Sequence, residues 1–173
     1  MSSGRDAMPP VPTPGNLWLR PLQAAGDADQ VEEVYRDAVL SQASGLYSPE
    51  QVRAWSNHPR SSEGLRQALD RGLGLVSCAS SGGTIEAFGL LDPLDRLSLL
   101  YCRGRSSRQG RASALLRALE EQARSSGVAE LRTEASQLSR PLLERLGWQM
   151  EAEETALYDG VAFVRWRMRR SLI

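Results

Sequence analysis

The chain has 173 residues, 41% of them apolar, and its 21 basic and 21 acidic residues balance to a formal charge of zero. That length suits one domain with one substantial core. The charge balance argues against a polyanion-binding surface, so no nucleic-acid partner is expected. No apolar run approaches the roughly 18 residues of a membrane span, so no membrane partner is expected either.

Residues 1–15 are rich in Pro, Ser and Gly, lack apolar periodicity, and read as a disordered leader before one domain over 16–173. A strand is expected over 17–22. Asp27, with Gln30 three residues later, resembles a capping box that opens a helix. Val31, Val34, Tyr35 and Ala38 share one face of it. Ser48-Pro49-Glu50-Gln51 is a stronger start signal: Ser48 caps, Pro49 suits the first helical position and Gln51 returns the capping bond. That helix is expected to run through Trp55, and a third to cover 62–71 and stop at Gly72. Strands over 73–79 and 84–91 flank the Ser81-Gly82-Gly83 turn. The apolar run 95–102 reads as a central strand covered on both faces.

The best helix is expected over 108–126. Ala112, Leu115, Leu116, Leu119 and Ala123 form its apolar stripe, and Gly127 ends it. A strand over 130–135 and a short helix carrying Leu142, Leu143 and Leu146 follow. Strands over 148–157 and 161–169 meet at the Asp159-Gly160 turn. The order β-ααα-βββ-α-β-α-ββ predicts an α+β sandwich around a mostly antiparallel sheet. Three successive strands without a helix exclude a doubly wound parallel sheet.

Chemistry concentrates between Leu99 and Ser113, where a buried strand runs through a polar loop into a helix N-terminus. The first helical turn leaves about four N–H groups without partners, and the macrodipole adds partial positive charge, which makes an anion site. Gly110 and Ala112 let a pyrophosphate approach the backbone, and Arg108 and Arg111 add charge at the rim. The competing reading is an ordinary solvated loop that caps a helix.

With its flanks, this segment resembles the GNAT superfamily of N-acetyltransferases. Leu100-Tyr101-Cys102 is similar to the family's signature strand, and Ser107-Arg108-Gln109-Gly110-Arg111-Ala112 to its Arg/Gln-x-x-Gly-x-Gly/Ala loop. The Ala- and Leu-rich stretch that begins at Ser113 is similar to the helix that follows. Glu134-Ala135-Ser136 and the run from Arg140 to Trp148 resemble its second conserved stretch. The run from Tyr47 to Trp55 is similar to a helix of one bacterial branch. The resemblance covers about residues 17–170.

It implies a GNAT-like α/β/α sandwich around a mixed, mostly antiparallel, splayed seven-stranded sheet. It implies acetyl-CoA as co-substrate, no metal, and acetyl transfer by direct attack of a primary amine of a small molecule, peptide or protein. Members are often homodimers. The backbone of Leu100 and Cys102 would pair with the pantetheine arm. The Ser107, Arg108, Gln109, Gly110, Arg111, Ala112 and Ser113 segment would hold the pyrophosphate, and Ser136 would sit near the thioester.

Four departures stand out. Ser107 replaces the usual Arg or Gln. Arg103-Gly104 replaces x-Pro, which predicts a looser loop. Leu143 stands where many members carry a tyrosine that protonates the departing thiolate. Ser98 stands where relatives often have an acidic residue. The losses at Ser98 and Leu143 motivate a second reading, a catalytically silent CoA-binding regulatory module.

Glu134 is the candidate general base, with a solvated partnership to Arg132 or Arg140 as the alternative. Asp92 and Asp95 rank below it. His58 falls in a surface loop. Tyr47 and Trp55 either line the acceptor pocket or pack in the core, whereas Trp148 and Trp166 read as core. Arg165, Arg167, Arg169 and Arg170 read as a solvated basic strip, with binding of an acidic acceptor as the alternative. All 21 basic residues are arginine, so a lysine Schiff base or lysine general base is excluded. Cys78 and Cys102 fit no metal spacing and read as small apolar strand residues. With no apolar h-region at the N-terminus, the expected location is cytoplasmic.

Overall fold

The computed structural model describes residues 11–13, 17–61 and 63–173. The chain begins with strands β1 (Val11–Thr13) and β2 (Leu17–Pro21), then helices α1 (Ala24–Gln42), α2 (Pro49–Ser61) and α3 (Gly64–Arg71). Strands β3 (Leu73–Cys78), β4 (Ile85–Leu91) and β5 (Arg96–Cys102) follow, then α4 (Arg111–Ser125), β6 (Glu130–Ala135), α5 (Arg140–Arg145), β7 (Gln149–Tyr158) and β8 (Val161–Ser171). The seven expected strands are present as β2 to β8, in one sheet of order β1-β2-β3-β4-β5-β6-β8-β7. Every neighbouring pair is antiparallel except β5 with β6.

The sheet separates two apolar layers, which places this α+β fold among α/β/α sandwiches. On one face Val31, Val34 and Tyr35 of α1 and Trp55 of α2 pack on Val76, Phe88 and Phe163. On the other Leu115, Leu116 and Leu119 of α4 pack on Leu75, Leu91, Leu131 and Met168. Strand β4 lies under both layers, and all seven of its residues are buried.

Four local expectations change. The leader expected over 1–15 lies outside the described residues except for Val11–Thr13, whose backbone pairs with Leu17–Leu19 as an edge strand. Helix α1 starts three residues before Asp27, because Asp27 works from inside the first turn. Its carboxylate accepts the Gln23 N–H at 2.8 Å and a two-pronged pair from Arg20 at 2.7 and 2.9 Å. Helix α2 runs past Trp55 to Ser61 and takes Pro59 into its last turn. Its start follows the predicted box: Gln51 N donates to Ser48 Oγ at 3.1 Å and Ser48 N to Gln51 Oε1 at 2.9 Å. Helix α4 begins at Arg111 rather than 108, because Arg108 (φ 60°) and Gly110 (φ 83°) adopt left-handed backbone that a helix cannot contain.

Candidate active site

Two strands that pair for only two residues create the site. β5 and β6 match Arg96 with Arg132 and Leu97 with Thr133, and then diverge. Two features end the ladder there. The register of β4 against β5 jumps from Leu90–Leu99 to Leu91–Leu97, which leaves Ser98 as an extra residue that bends β5. The Thr133 hydroxyl donates to Leu97 O at 2.6 Å and takes the carbonyl a continuing strand would use.

Beyond the split, one edge of β5 has no strand beside it. Arg103 N donates to Glu86 O at 2.8 Å, which makes that pair a hydrogen-bonded one. By alternation, the N–H and C=O groups of Leu100 and Cys102 point away from β4, toward the split. Gln42 Nε2 already donates to Cys102 O at 2.7 Å. The outward edge of Leu100 is therefore the clearer docking rung.

The loop after β5 delivers the chain to α4. Among the described residues, none of the backbone N–H groups of Arg108, Gln109, Gly110, Arg111, Ala112 or Ser113 donates to an acceptor. The first protein bond of the helix is Ala114 N to Gly110 O at 2.9 Å. The left-handed turns at Arg108 and Gly110 gather these amides into a concave nest at the positive end of the helix. Ser107 does not belong to that set, because its N–H and its hydroxyl both donate to Gly104 O, at 3.2 and 2.9 Å, and close a single 3-10 turn.

The loop is pinned rather than loose, despite Arg103-Gly104 in place of x-Pro. Buried Glu86 accepts Arg105 through two bonds at 2.9 and 2.8 Å and the Ser106 hydroxyl at 2.7 Å. Arg105 and Ser106 together pull the Glu86 carboxyl down to about 2. Gly104 N donates to Asp37 Oδ2 at 2.8 Å, and a Cβ at Gly104 would meet Ser41 Oγ at 2.5 Å. Glycine is thus required by the close approach of α1.

The Arg111 side chain turns away from the rim. It is 9% exposed, and its Nη1 donates to Ser77 Oγ at 2.9 Å and Cys78 O at 3.0 Å. It anchors the start of α4 to β3, and Arg108 and Gln109 remain exposed beside the nest.

The split opens into a cavity of about 480 Å³. Leu100, Cys102, Ala112 and Ser136 line it, as do Tyr47 and Trp55. Trp55 also belongs to the core at 6% exposure. The sequence reading missed Tyr35, Tyr101, Tyr158 and Phe163, which complete its aromatic wall. Ring contacts knit that wall together: Tyr35 to Tyr101 at 4.4 Å, Tyr47 to Trp55 at 5.2 Å and Tyr158 to Phe163 at 5.0 Å. Trp55 Nε1 donates to the Tyr101 hydroxyl at 3.2 Å. The Tyr47 hydroxyl accepts the Gln137 N–H at 2.8 Å. Alternating apolar positions on β5 and β8 were the available signal for Tyr101 and Phe163. Nothing local marks Tyr158.

His58 is not in a loop. It lies within α2, lines the cavity and meets the Tyr158 ring at 5.0 Å. Ser136 and Ser139 cap the turn before α5 reciprocally, at 3.0 and 3.2 Å. Leu143 is buried. Burial pushes the Cys102 thiol up to about 11, which removes it as a nucleophile near neutral pH.

Glu134 lines the cavity and pairs with neither Arg132 nor Arg140. Its Oε2 accepts Arg96 Nε at 2.9 Å, from across the diverging strands. Arg132 faces Asp95 at 3.7 Å, and Arg140 pairs with Glu144 at 2.7 Å and lies over the half-buried Trp166 ring. Asp92 is held by Arg71, which keeps its carboxyl below the usual range. Trp148 is core, with Nε1 bonded to Glu120 at 3.0 Å.

Comparisons with known proteins identify the family and the fold. A family model described as an acetyltransferase (GNAT) domain matches residues 44–170. The uncharacterized N-acetyltransferase YafP of Escherichia coli (strain K12) is 27% identical over 155 residues, which cover 89% of this chain and 95% of that protein. A GCN5-related N-acetyltransferase from Rhodopseudomonas palustris superposes with a TM-score of 0.82 at 22% identity, covering 95% of this chain and 97% of that one. The PaiA N-acetyltransferase of Thermoplasma acidophilum, solved in complex with coenzyme A, gives 0.70 at 20% identity over 90% and 98% of the two chains.

Proposed function

Because the chain belongs to the GNAT acetyltransferase family, we propose that it moves an acetyl group from acetyl-CoA to a primary amine of a small molecule or peptide. The observation that carries this is the row of unpartnered amides from 108 to 113, beside a β-strand edge left open by the split. The nest suits a diphosphate, and the open edge of Leu100 suits the amides of a pantetheine arm. The crystallised complex of the PaiA relative with coenzyme A supports the same ligand for this chain.

In this reading the amine enters from the aromatic side of the cavity and attacks the thioester carbon. The C–N bond forms, the C–S bond breaks, and CoA leaves as its thiolate, which takes up the proton the new amide nitrogen sheds, directly or through water. Glu134 accepts the proton the ammonium must lose, directly or through water. Leu143 offers no proton to the leaving sulfur, so positioning is left with a larger share of the rate, of about 7–11 kcal/mol at most. The two free thiols are in keeping with a reducing, cytoplasmic setting.

A second reading, a CoA-binding module without catalysis, is favoured by one observation: the family's tyrosine position is a buried leucine. One assay separates the two. Acetyl-CoA at about 100 times its Kd should stabilise the fold by about 2.7 kcal/mol, and thiol release should follow on adding amines. Stabilisation without thiol release on any amine selects the silent module. Gly110→Glu should abolish the thermal shift, with Gly110→Ala as the control for backbone strain alone. Unchanged acetyl-CoA binding in Gly110→Glu would refute the nest. Glu134→Gln should lower kcat about 10²-fold or more with little effect on acetyl-CoA affinity.

A further inference from the structure

The acceptor end of the cavity carries more positive charge than it neutralises. Arg96 and Glu134 form a close pair at 2.9 Å. Arg165 lines the same cavity from β8, and among the described residues its ion-pair partner is Glu154 on β7, at 3.6 Å. Glu154 is shared, since Arg167 also approaches it, at 3.9 Å, and neither arginine is within hydrogen-bond distance. Of the arginines that line the cavity, Arg71 is paired with Asp92 and Arg96 with Glu134, which leaves Arg165 without a carboxylate in hydrogen-bond distance. Arg165 Nε is buried and has no hydrogen-bond partner among the described residues. The side chain as a whole is 27% exposed at the cavity wall, and a guanidinium that bonds no carboxylate there is suited to an anion, its planar fork to a carboxylate best.

Register fixes where that anion would lie. Glu134 pairs with Arg167 across β6 and β8, so Arg165 is its diagonal neighbour two residues along. Diagonal Cβ atoms stand about 7 Å apart, within reach of long side chains. Burial opposes the Arg165 charge, but the Tyr158 hydroxyl and the carboxylates of Glu154 and Glu134 outweigh it and raise the pKa. The guanidinium and the Glu134 carboxylate therefore act on the same space. Beside them stand the rings of Tyr47, Trp55, Tyr158 and Phe163.

We propose that the acceptor is an amine that also carries a carboxylate and an apolar side chain, an amino acid in form. Arg165 holds the carboxylate, and the amine then stands beside Glu134. The aromatic wall takes the side chain. This rests on the acetyltransferase reading above and adds the substrate class.

The test uses the whole chain with acetyl-CoA and measures thiol release for matched pairs: L-phenylalanine against phenethylamine, and L-methionine against 3-(methylthio)propylamine. Each amino acid should exceed its decarboxylated partner in kcat/KM by about tenfold or more, as expected for a hydrogen bond to a charged group. Arg165→Met keeps an apolar stem without the guanidinium and should bring that ratio toward one. Arg165→Lys should restore part of it. The acetyl-CoA thermal shift, measured on each variant, reports that the fold and the cofactor site persist.

Equal or better turnover of the decarboxylated amines overturns the proposal. So does a ratio that Arg165→Met leaves unchanged, and so does acetyl-CoA binding with no turnover of either amino acid. Loss of the acetyl-CoA shift in the unaltered protein is a different failure, since it removes the acetyltransferase reading itself.

Discussion

The hydroxyl of Thr133 donates to the carbonyl of Leu97 at 2.6 Å, on the last rung of the parallel pairing between β5 and β6. A side chain occupies an acceptor that backbone would otherwise claim, and the two strands part immediately beyond it. The split, into which we propose a pantetheine arm fits, is thereby held open by a 6%-exposed threonine.

Thr133→Val keeps the shape and removes the donor. It leaves a buried carbonyl unsatisfied, at a cost of about 1–3 kcal/mol. The melting temperature should fall by roughly 3 °C per kcal/mol for a chain of this size. The KM for acetyl-CoA should rise several-fold more than kcat falls. Thr133→Ser should recover both. A valine variant with wild-type KM would show that the split does not depend on this bond.

Glu86 makes stability sensitive to acid. Arg105 and Ser106 hold its carboxyl at about 2 in the fold, against 4.5 for the free group. The unfolded chain therefore binds the proton first as pH falls. The stabilisation is complete above about pH 4.5 and is lost progressively toward pH 2. At about 1.4 kcal/mol per pH unit, the whole effect is of the order of 3 kcal/mol. Thermal melts of the protein and of Glu86→Gln should differ most at pH 6 and draw together toward pH 2. A constant difference across that range would show that the Glu86 charge is not what matters.

Arg111 and Arg108 lie three residues apart and should behave differently. Arg111 is bonded inward to Ser77 and Cys78, so Arg111→Met should cost about 1–3 kcal/mol of stability. It should leave the salt dependence of acetyl-CoA binding unchanged. Arg108 is exposed beside the nest, so Arg108→Met should leave the melting temperature within about 2 °C. It should weaken acetyl-CoA binding and flatten its salt dependence. Titrations at two ionic strengths decide between these assignments, and the reverse pattern would return Arg111 to the rim.

Much of the fold was legible in the residues alone. The Ser48–Gln51 box, the Asp159-Gly160 turn and the α4 stripe each depend on contacts within a few positions, so spacing and residue type suffice to read them. The nest from 108 to 113 was legible for the same reason, because a helix start leaves its own amides unpaired wherever the helix sits. The interactions that shape the site span long stretches of chain: Glu86 to Arg105, Thr133 to Leu97, Glu134 to Arg96, and Arg111 to Ser77. Only the order in which the strands assemble brings these partners together, and burial then decides which donor meets which acceptor. Local pattern therefore set the elements and the row of free amides at the start of α4. Sheet order and burial alone turned Arg111 inward, tied down the loop after β5, and left Arg165 facing the cavity with a donor to spare.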